Sequence, residues 1–528
     1  MSNHAYESAA ALRPSSNGPI PISTLCERFS LAPASAEDAA ALNDLSILGV
    51  SVDSADTAPG ELFVGLPGFT VHGARFAADA VASGAVAVLT DADGAQIVHQ
   101  TAPGTPVLVH SDPRAVVGPL SAEVYHHPAR GLVTTAVTGT NGKTTTAYFL
   151  DAILSAHVGG CMVAGTVELR VGERSVESPR TTVEAPVLQR MMALAVEDKV
   201  GAASLEASSH AIVLHRLDGI VVDVAGFTNL QRDHLDFHKT MEGYLEAKAQ
   251  LFTPEHARRG VVCVDDQWGA ALAAEAPIEI DRVRAYPGET PADWWVSDAA
   301  VSLTDSATTF TLHGPDGEKI EASCPLPGLV NVQNAALALV MAIRAGVPAA
   351  TAAAALAGAH NIPGRMQRIS QRDGRRGLCI VDFAHTPEAM ELALKAVRPI
   401  TPGRLIVVFG SDGDRDQGKR PMLGQVCARL ADVLVVTDEN PRSEDPQLIR
   451  DAILDGVRGV RPDLKDVEEI TTWRGDAVRR GVELCGPDDT VIVTGKGHEP
   501  FLEMAGEFIR YNDAPVMAEA VEEKWGRA

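Results

Sequence analysis

The stretch Gly139-Thr140-Asn141-Gly142-Lys143-Thr144-Thr145-Thr146 constrains this chain more than any other. It follows a β-branched run, Val133-Thr134-Thr135-Ala136-Val137, and precedes a helical pattern from Ala147 to Ser155. A strand, a glycine loop and a helix start in that order turn several backbone N–H groups toward one point, where the helix dipole favours negative charge. Lys143 adds a cation for the outer phosphates of a nucleotide, and Thr144 a hydroxyl suited to Mg2+. The match to the common phosphate loop is imperfect, because Val137 stands where that loop has its first glycine. A Gly-Lys-Thr triplet recurs by chance, so the flanking strand and helix are what point to nucleotide binding.

At 528 residues the chain has room for about three domains. Its formal net charge of −24 argues against a nucleic-acid or anionic-membrane surface, and obliges any phosphate site to gather its own cations. Cys26, Cys161, Cys263, Cys324, Cys379, Cys427 and Cys485 form no CxxC pair or metal spacing, so reduced thiols and a cytoplasmic location are expected. Residues 1–20 are polar, lack the apolar core of a signal peptide, and read as a disordered extension. The alanine-rich run Ala335 to Ala359 is the nearest approach to a membrane span. Arg344 and Gly346-Val347-Pro348 split it into two short helices, so no membrane span is expected.

Short strands and turns fill residues 21–128, with Val50 to Ser54, Gly60 to Gly65, Ala85 to Leu89 and Pro106 to Val109 as strands around a helical Phe76 to Ser83. Residues 129–362, ending near Asn361, hold the glycine loop and alternating helices and strands, including Ala202 to Leu205 and Val222 to Phe227; such alternation indicates a parallel sheet covered on both faces. Residues 363–528 carry Leu405 to Phe409, Val433 to Val436 and Val491 to Val493, each running into a charged, glycine-bearing loop. Ligands of open α/β sheets lie beyond the carboxyl ends of strands, so these three loops should frame a pocket holding arginines and carboxylates. The fold class is α/β in three domains, the last Rossmann-like.

Within that frame several side chains suit chemistry. Glu206, after an apolar strand, can bind Mg2+ opposite Thr144, or can simply cap a helix. Ser208, Ser209 and His210 follow without a Gly-x-Ser-x-Gly elbow, so no serine nucleophile is read there. His234 lies between Asp233 and Asp236 after a strand end, where a site role and a structural one are equally open. By pattern alone Lys248, in a helical Tyr244 to Leu251, is a surface lysine. Asp382, ending Leu378 to Val381, suits a ribose hydroxyl or a turn.

Taken together and in order, these residues resemble the Mur ligase family, whose members extend the UDP-N-acetylmuramoyl peptide of bacterial cell-wall synthesis. The likeness covers nearly the whole chain. It includes Asp53-Ser54, Leu66-Pro67-Gly68, the loop at Gly139, Thr181-Thr182, Glu206-Ala207-Ser208-Ser209-His210, Asn229, Asp233-His234-Leu235-Asp236, Lys248, Asn331 and Asn334. It continues through Pro363-Gly364-Arg365, Asp382-Phe383-Ala384-His385-Thr386-Pro387, Gly413-Asp414-Arg415-Asp416, Asn440-Pro441-Arg442 and Gly495-Lys496-Gly497-His498-Glu499.

The resemblance implies ATP as substrate on Gly139, Thr140, Asn141, Gly142, Lys143, Thr144, Thr145, Asn334, Arg365, Asp382 and His385. It implies Mg2+ held by Thr144, Glu206, His234 and a CO2-derived carbamate on Lys248, with Lys143, Lys248, His234 and Glu206 as the catalytic set. Val52, Ser54, Thr181, Thr182, Ser208 and Arg216 would contact the UDP-sugar peptide. Folate-using relatives carry Gly-Lys-Gly-Ser where this chain has Gly142-Lys143-Thr144-Thr145, and Asn440-Pro441-Arg442 is similar to the members that add meso-diaminopimelate. Arg442 would then hold the distal carboxylate, with Arg415, Glu439, Asn440, Pro441, Gly495 and Glu499 completing the pocket and Glu499 facing the distal ammonium. Lysine would leave a buried arginine unpaired. The family motif usually begins with aspartate where this chain has Glu439, and relatives carry glutamine at Leu214.

The chemistry implied is amide formation. The D-glutamyl γ-carboxylate of UDP-N-acetylmuramoyl-L-Ala-D-Glu attacks the γ-phosphorus of ATP, and the amine of meso-diaminopimelate displaces phosphate from the acyl phosphate, by a monomer whose three domains close over the reactants. The rival readings are a ligase adding lysine, a non-catalytic UDP-sugar-peptide binder, and a plain ATP phosphotransferase.

Overall fold

The computed structural model describes residues 9–302, 307–359 and 362–526; Asn361 and the first eight residues lie outside them. The chain divides into two compact units. The first comprises residues 1–295, 314–317 and 334–355, and the second residues 296–313, 318–333 and 356–528. The expected domains 21–128 and 129–362 thus share one unit, and parts of the middle stretch belong with the carboxyl-terminal one.

Among the described residues the first unit holds two large sheets and the short antiparallel pair Ile20–Pro21 with Ser46–Ile47. One runs, in spatial order, Ala32–Pro33, Val107–Val109, Ala87–Thr90, Glu61–Val64 and Gly49–Ser51, all parallel except the first. Its core is Leu25, Ile47, Val50, Leu62, Val64, Leu89, Leu108 and Leu120. The other is centred on Val133–Thr138, flanked by Ala202–Glu206 and then Cys161–Ala164 on one side, and by Val222–Phe227, Ala257–Cys263 and Glu279–Arg284 on the other, all parallel. A hairpin, Glu168–Val171 with Arg174–Glu177, finishes the Cys161 edge antiparallel. The chain goes left from Val133–Thr138 and later returns to its right, so the crevice for ligands opens above that central strand's carboxyl end.

Two local differences from the sequence reading matter. The helix after the glycine loop is Lys143–Val158, starting four residues before the apolar pattern does, so Lys143 and Thr144 already lie in its first turn. Within the polar start read as a disordered extension, residues 9–20 have a defined place in the fold. Ala9–Ala11 form a 3-10 turn and Leu12 is fully buried among Leu132, Val183, Leu188 and Met191. A single leucine in a polar stretch gives no periodicity, which is why pattern alone misses it.

The second unit carries the sheet Gln367–Ser370, Leu378–Val381, Thr490–Val493, Leu405–Phe409, Val433–Val436 and Val467–Glu469, parallel except at its first strand. Its four inner strands are mostly apolar and buried throughout because both faces are covered, whereas the edge strands Gln367–Ser370 and Val467–Glu469 are mostly polar and partly exposed. Helices Pro387–Val397, Lys419–Leu430, Pro446–Arg458, Arg474–Leu484 and Asp513–Trp525 supply that cover. The expected split of the alanine-rich run is present, as helices Leu329–Arg344 and Ala349–Ala357, and among the described residues no helix is long and apolar enough to cross a membrane.

Candidate active site

The glycine loop is held from both flanking strands. Past the end of Val222–Phe227, Asn229 accepts the Asn141 N–H on its side-chain oxygen (3.1 Å) and returns its amide to the Asn141 carbonyl (3.1 Å), while Thr228 Oγ1 donates to the same carbonyl (2.6 Å). The Thr140 N–H donates to the Asn229 carbonyl at 2.9 Å, and Asn141 Nδ2 to Gln231 at 2.8 Å. These bonds fix the loop backbone before any ligand arrives. Gly142 sits at φ 92°, where a Cβ would come within 2.3 Å of Asn334 Oδ1. That oxygen is buried and without a hydrogen-bond partner, as a site shaped for a ligand requires. Lys143 folds over the loop, its Nζ donating to the carbonyls of Gly139 (3.0 Å) and Thr140 (2.9 Å), and Thr145 is buried in the same helix turn.

At the end of Ala202–Glu206, the buried carboxylate of Glu206 accepts from Thr144 Oγ1 (3.0 Å), the Thr166 N–H (2.8 Å) and Thr166 Oγ1 (2.9 Å). It is therefore a strand-end acceptor facing the loop, not a helix cap. Losing one partner of such a buried bond costs about 1–3 kcal/mol. Thr182 Oγ1 donates to the Glu206 carbonyl (2.7 Å) and accepts the Ser208 N–H (3.0 Å); Thr181 Oγ1 is 3.2 Å from Thr166 Oγ1; and Arg216 donates to the Thr182 carbonyl (3.2 Å). Thr181, Thr182, Ser208, Arg216 and Glu206 thus form one connected patch, tied by Thr144 to the loop.

Lys248 is no surface lysine. Only 1% of it is exposed, on helix Met241–Ala249; its Nζ donates to the Gly139 carbonyl (2.8 Å) and lies 4.5 Å above the Tyr244 ring. Burial, and then the Lys143 cation, push its amine well below the usual lysine range. A neutral amine is what CO2 needs to form a carbamate, so the environment fits the expected modification. His234 stands in left-handed backbone at φ 52°, 48% of its side chain exposed, edge-on to His210 at 4.9 Å and to Tyr244 at 6.2 Å. Partial burial and the Lys143 and Lys248 cations hold its ring below the ordinary histidine range, which keeps a neutral nitrogen for a metal. Among the described residues no three His, Cys, Asp or Glu side chains gather as a metal cluster. The donor set that fits Mg2+ is one carboxylate and one hydroxyl, Glu206 and Thr144, with oxygen from a phosphate or a carbamate to complete it.

A cleft of about 240 Å3 opens beside this patch, lined by Val50, Val52, Asp53, Arg180, Val183 and Glu184 among others. Ser54 opens the short turn Ser54–Asp56 next to it, capped by Asp53.

In the second unit the three expected loops do meet. The Gly413 N–H donates to the Asn440 carbonyl (2.8 Å), Asn440 Nδ2 to Glu499 (3.0 Å), and buried Lys496 Nζ to Asn440 Oδ1 (2.8 Å), Glu499 (3.0 Å) and the Phe501 carbonyl (2.6 Å). Gly495, at φ 106°, clears Glu439, whose Oε2 a Cβ would approach to 2.4 Å. Glu439 is 3% exposed with that oxygen unpartnered, and burial followed by Asp412 pushes its carboxyl up to about 8. Arg442, at φ 55° and with its side chain 22% exposed, follows Pro441 and stands 3.9 Å from Asp412 and 3.7 Å from Glu503. Both ion pairs are too long for hydrogen bonds, so the guanidinium is held in place but poorly satisfied. Arg415 is exposed. In the same unit Asp382 accepts the N–H groups of Met366 (2.8 Å) and Ala384 (2.9 Å), Arg365 stacks on Phe383 (4.3 Å), and His385 bonds the Phe383 carbonyl (2.9 Å).

Sequence reasoning missed Thr166, Tyr244 and Arg474. Arg474 is fully buried with Asp513, and donates to the carbonyls of Asp438 (2.9 Å) and Thr494 (2.7 Å), pinning two of the three loops. An arginine in an ordinary amphipathic helix gives no local signal of this.

Comparison with known proteins agrees. Models described as "Mur ligase family, catalytic domain", "Mur ligase middle domain" and "Mur ligase, glutamate ligase domain" match residues 46–125, 137–342 and 364–497. The UDP-N-acetylmuramoyl-L-alanyl-D-glutamate–2,6-diaminopimelate ligase of Streptomyces avermitilis is 43% identical over 92% of this chain and 94% of its own length. The UDP-N-acetylmuramyl-tripeptide synthetase of Leifsonia xyli is 42% identical over 95% and 96%. A solved UDP-N-acetylmuramoyl-L-alanyl-D-glutamate–2,6-diaminopimelate ligase superposes with TM-score 0.63 at 31% identity, covering 90% of this chain and 95% of that one. The chain belongs to the Mur ligase family.

Proposed function

We propose that the protein is an ATP-dependent MurE-type ligase that adds meso-diaminopimelate to the D-glutamyl γ-carboxylate of UDP-N-acetylmuramoyl-L-Ala-D-Glu through an acyl phosphate, on soluble substrates in the cytoplasm. The observation that carries this reading is the joined patch in which the phosphate loop, Glu206 and the Thr182–Ser208–Arg216 group share hydrogen bonds. A nucleotide on the loop and an acid on that patch would be neighbours, as in-line phosphoryl transfer demands.

The loop N–H groups and Lys143 would stabilise charge on the transferring phosphoryl group, with Lys143 leaving its carbonyl partners for phosphate oxygen. Thr144, Glu206, His234 and a carbamate on Lys248 would hold Mg2+, which when bound offsets the repulsion between the carboxylate and the triphosphate. Arg216 would orient the acid. Arg365, Asp382 and His385 would serve the nucleoside end. Arg442 would take the distal carboxylate of the amino compound, and Asn440, Glu439 and Glu499 its polar groups. The names of the relatives from Streptomyces support diaminopimelate.

The test is ADP release with the UDP-sugar dipeptide and a panel of amino acids. Release that depends on both the dipeptide and meso-diaminopimelate, with the corresponding product mass, is the expected result. Release with lysine alone would reassign the amino acid, and release without any amine would favour a phosphotransferase.

A further inference from the structure

The amino-terminal segment carries more than its sequence suggests. Ala9 lines the 240 Å3 cleft together with Val50, Val52, Asp53 on one wall and Arg180, Val183 and Glu184 on the other. Leu12, three residues on, is fully buried in the core of the central sheet. Arg13 donates to the Glu61 carboxylate and the Asp56 carbonyl, both on the wall that bears Val52. Arg190, on helix Ala185–Glu197 behind the opposite wall and only 1% exposed, donates to the Ala9 carbonyl (2.9 Å) and to Asp56 Oδ2 (2.9 Å). The segment then clips that helix again, Ser15 N–H to Glu197 (2.9 Å), and ends with Asn17 Nδ2 on the carbonyls of Leu48 (2.7 Å) and Val124 (2.9 Å).

We propose that residues 9–17 are a strap that contributes Ala9 to the lining of this cleft and, through the chain Arg13–Asp56–Arg190, sets its width for the nucleotide-sugar end of the substrate. The proposal rests on the reading of the cleft as the UDP-sugar site. Three features favour it over a passive packing role. A buried arginine bonded to a backbone carbonyl and to a carboxylate fixes both in direction as well as distance. Asp56, the shared acceptor, belongs to the same short turn as Ser54. The walls so tied are apolar at Val50, Val52, Val183 and Ala9 with polar groups at Asp53, Arg180 and Glu184, a lining that suits a flat heterocycle with polar edges. Arg13 and Arg190 are positioning residues here, acting through the walls they hold.

Hydrogen exchange of the intact protein with and without UDP tests the proposal without substitution. UDP is expected to slow exchange in both residues 50–53 and residues 9–17, whereas ATP slows the loop at Gly139 and leaves the strap unchanged. Protection of 50–53 with none at 9–17 would refute the strap alone; protection at neither would remove the reading of the cleft and the strap with it. Kinetics give the second arm. Arg190→Met and a chain lacking residues 2–13 should raise KM for the UDP-sugar dipeptide roughly tenfold or more, with KM for ATP and kcat each within about twofold. Arg190→Lys should recover only part of the effect, because its ammonium keeps the charge and a donor for both acceptors but loses the fixed plane of the guanidinium. An unchanged KM in a variant of normal melting temperature would overturn the proposal, as would equal rises for all substrates.

Discussion

The phosphate loop and the carboxyl-terminal pocket are both built at strand ends, yet they are finished to different degrees. At Gly139 to Asn141 the backbone is engaged: the carbonyls of Gly139, Thr140 and Asn141 accept from Lys143, Lys248, Thr228 and Asn229, and the Thr140 and Asn141 N–H groups donate to Asn229. The pocket of the second unit keeps buried oxygens of Ser411, Asp412, Thr437 and Glu439 without hydrogen-bond partners. On the proposed function, the loop would receive a triphosphate whose shape does not vary. In the pocket, a charged amino compound would satisfy that buried polarity, and an analogue lacking the right charges would leave it unpaired. Changes in the first region are therefore expected to act on rate and changes in the second on discrimination.

Breaking the loop should have the largest effect. Lys143→Ala is expected to lower kcat by about a thousandfold or more, as loss of a transition-state cation does, measured by single-turnover ADP formation; normal turnover would dismiss the loop assignment. Lys248→Ala should follow, with a loss of about a hundredfold that added acetate partly restores as a substitute oxygen ligand. The absence of any carbamate signal on Lys248 in active protein would contradict this role.

Changes in the pocket should move affinity more than rate. Arg442→Ala should raise KM for meso-diaminopimelate by about ten- to a hundredfold with KM for ATP little altered; an equal rise in both would mean that Arg442 serves the fold. The smallest effect concerns Glu439 and pH. Its carboxyl, held up to about 8 when folded, keeps a proton that the unfolded chain releases near its ordinary value of 4.5. Stability from this group is therefore full below about 4.5 and declines as pH rises toward about 8. Glu439→Gln removes the decline, so its melting temperature relative to the parent should climb between those values; a constant difference would show that Glu439 is already ionised.

The same contrast governs what the sequence could reveal. The phosphate loop was legible because its parts are adjacent: strand, glycines, lysine, helix. Glu206 was legible as a strand-end carboxylate opposite Thr144, with a helix cap left open, whereas Thr182 became meaningful only through the family likeness. The environment of Lys248 was invisible, because its burial is created by the loop 109 residues earlier. The pocket loops were recognised as three charged strand ends, but Arg474, which ties two of them, sits on an unremarkable helix. The placement of Ala9 to Asn17 was not legible for a similar reason: Arg13 and Ser15 tie it to partners 43 and 182 residues away.

The central claim is that a carboxylate is activated by phosphoryl transfer at this loop. The most direct measurement uses UDP-N-acetylmuramoyl-L-Ala-D-Glu labelled with heavy oxygen in the γ-carboxylate, turned over with ATP and meso-diaminopimelate, with the released phosphate examined by mass. One labelled oxygen per phosphate is the result expected of an acyl phosphate. Amide product accompanied by unlabelled phosphate would contradict it.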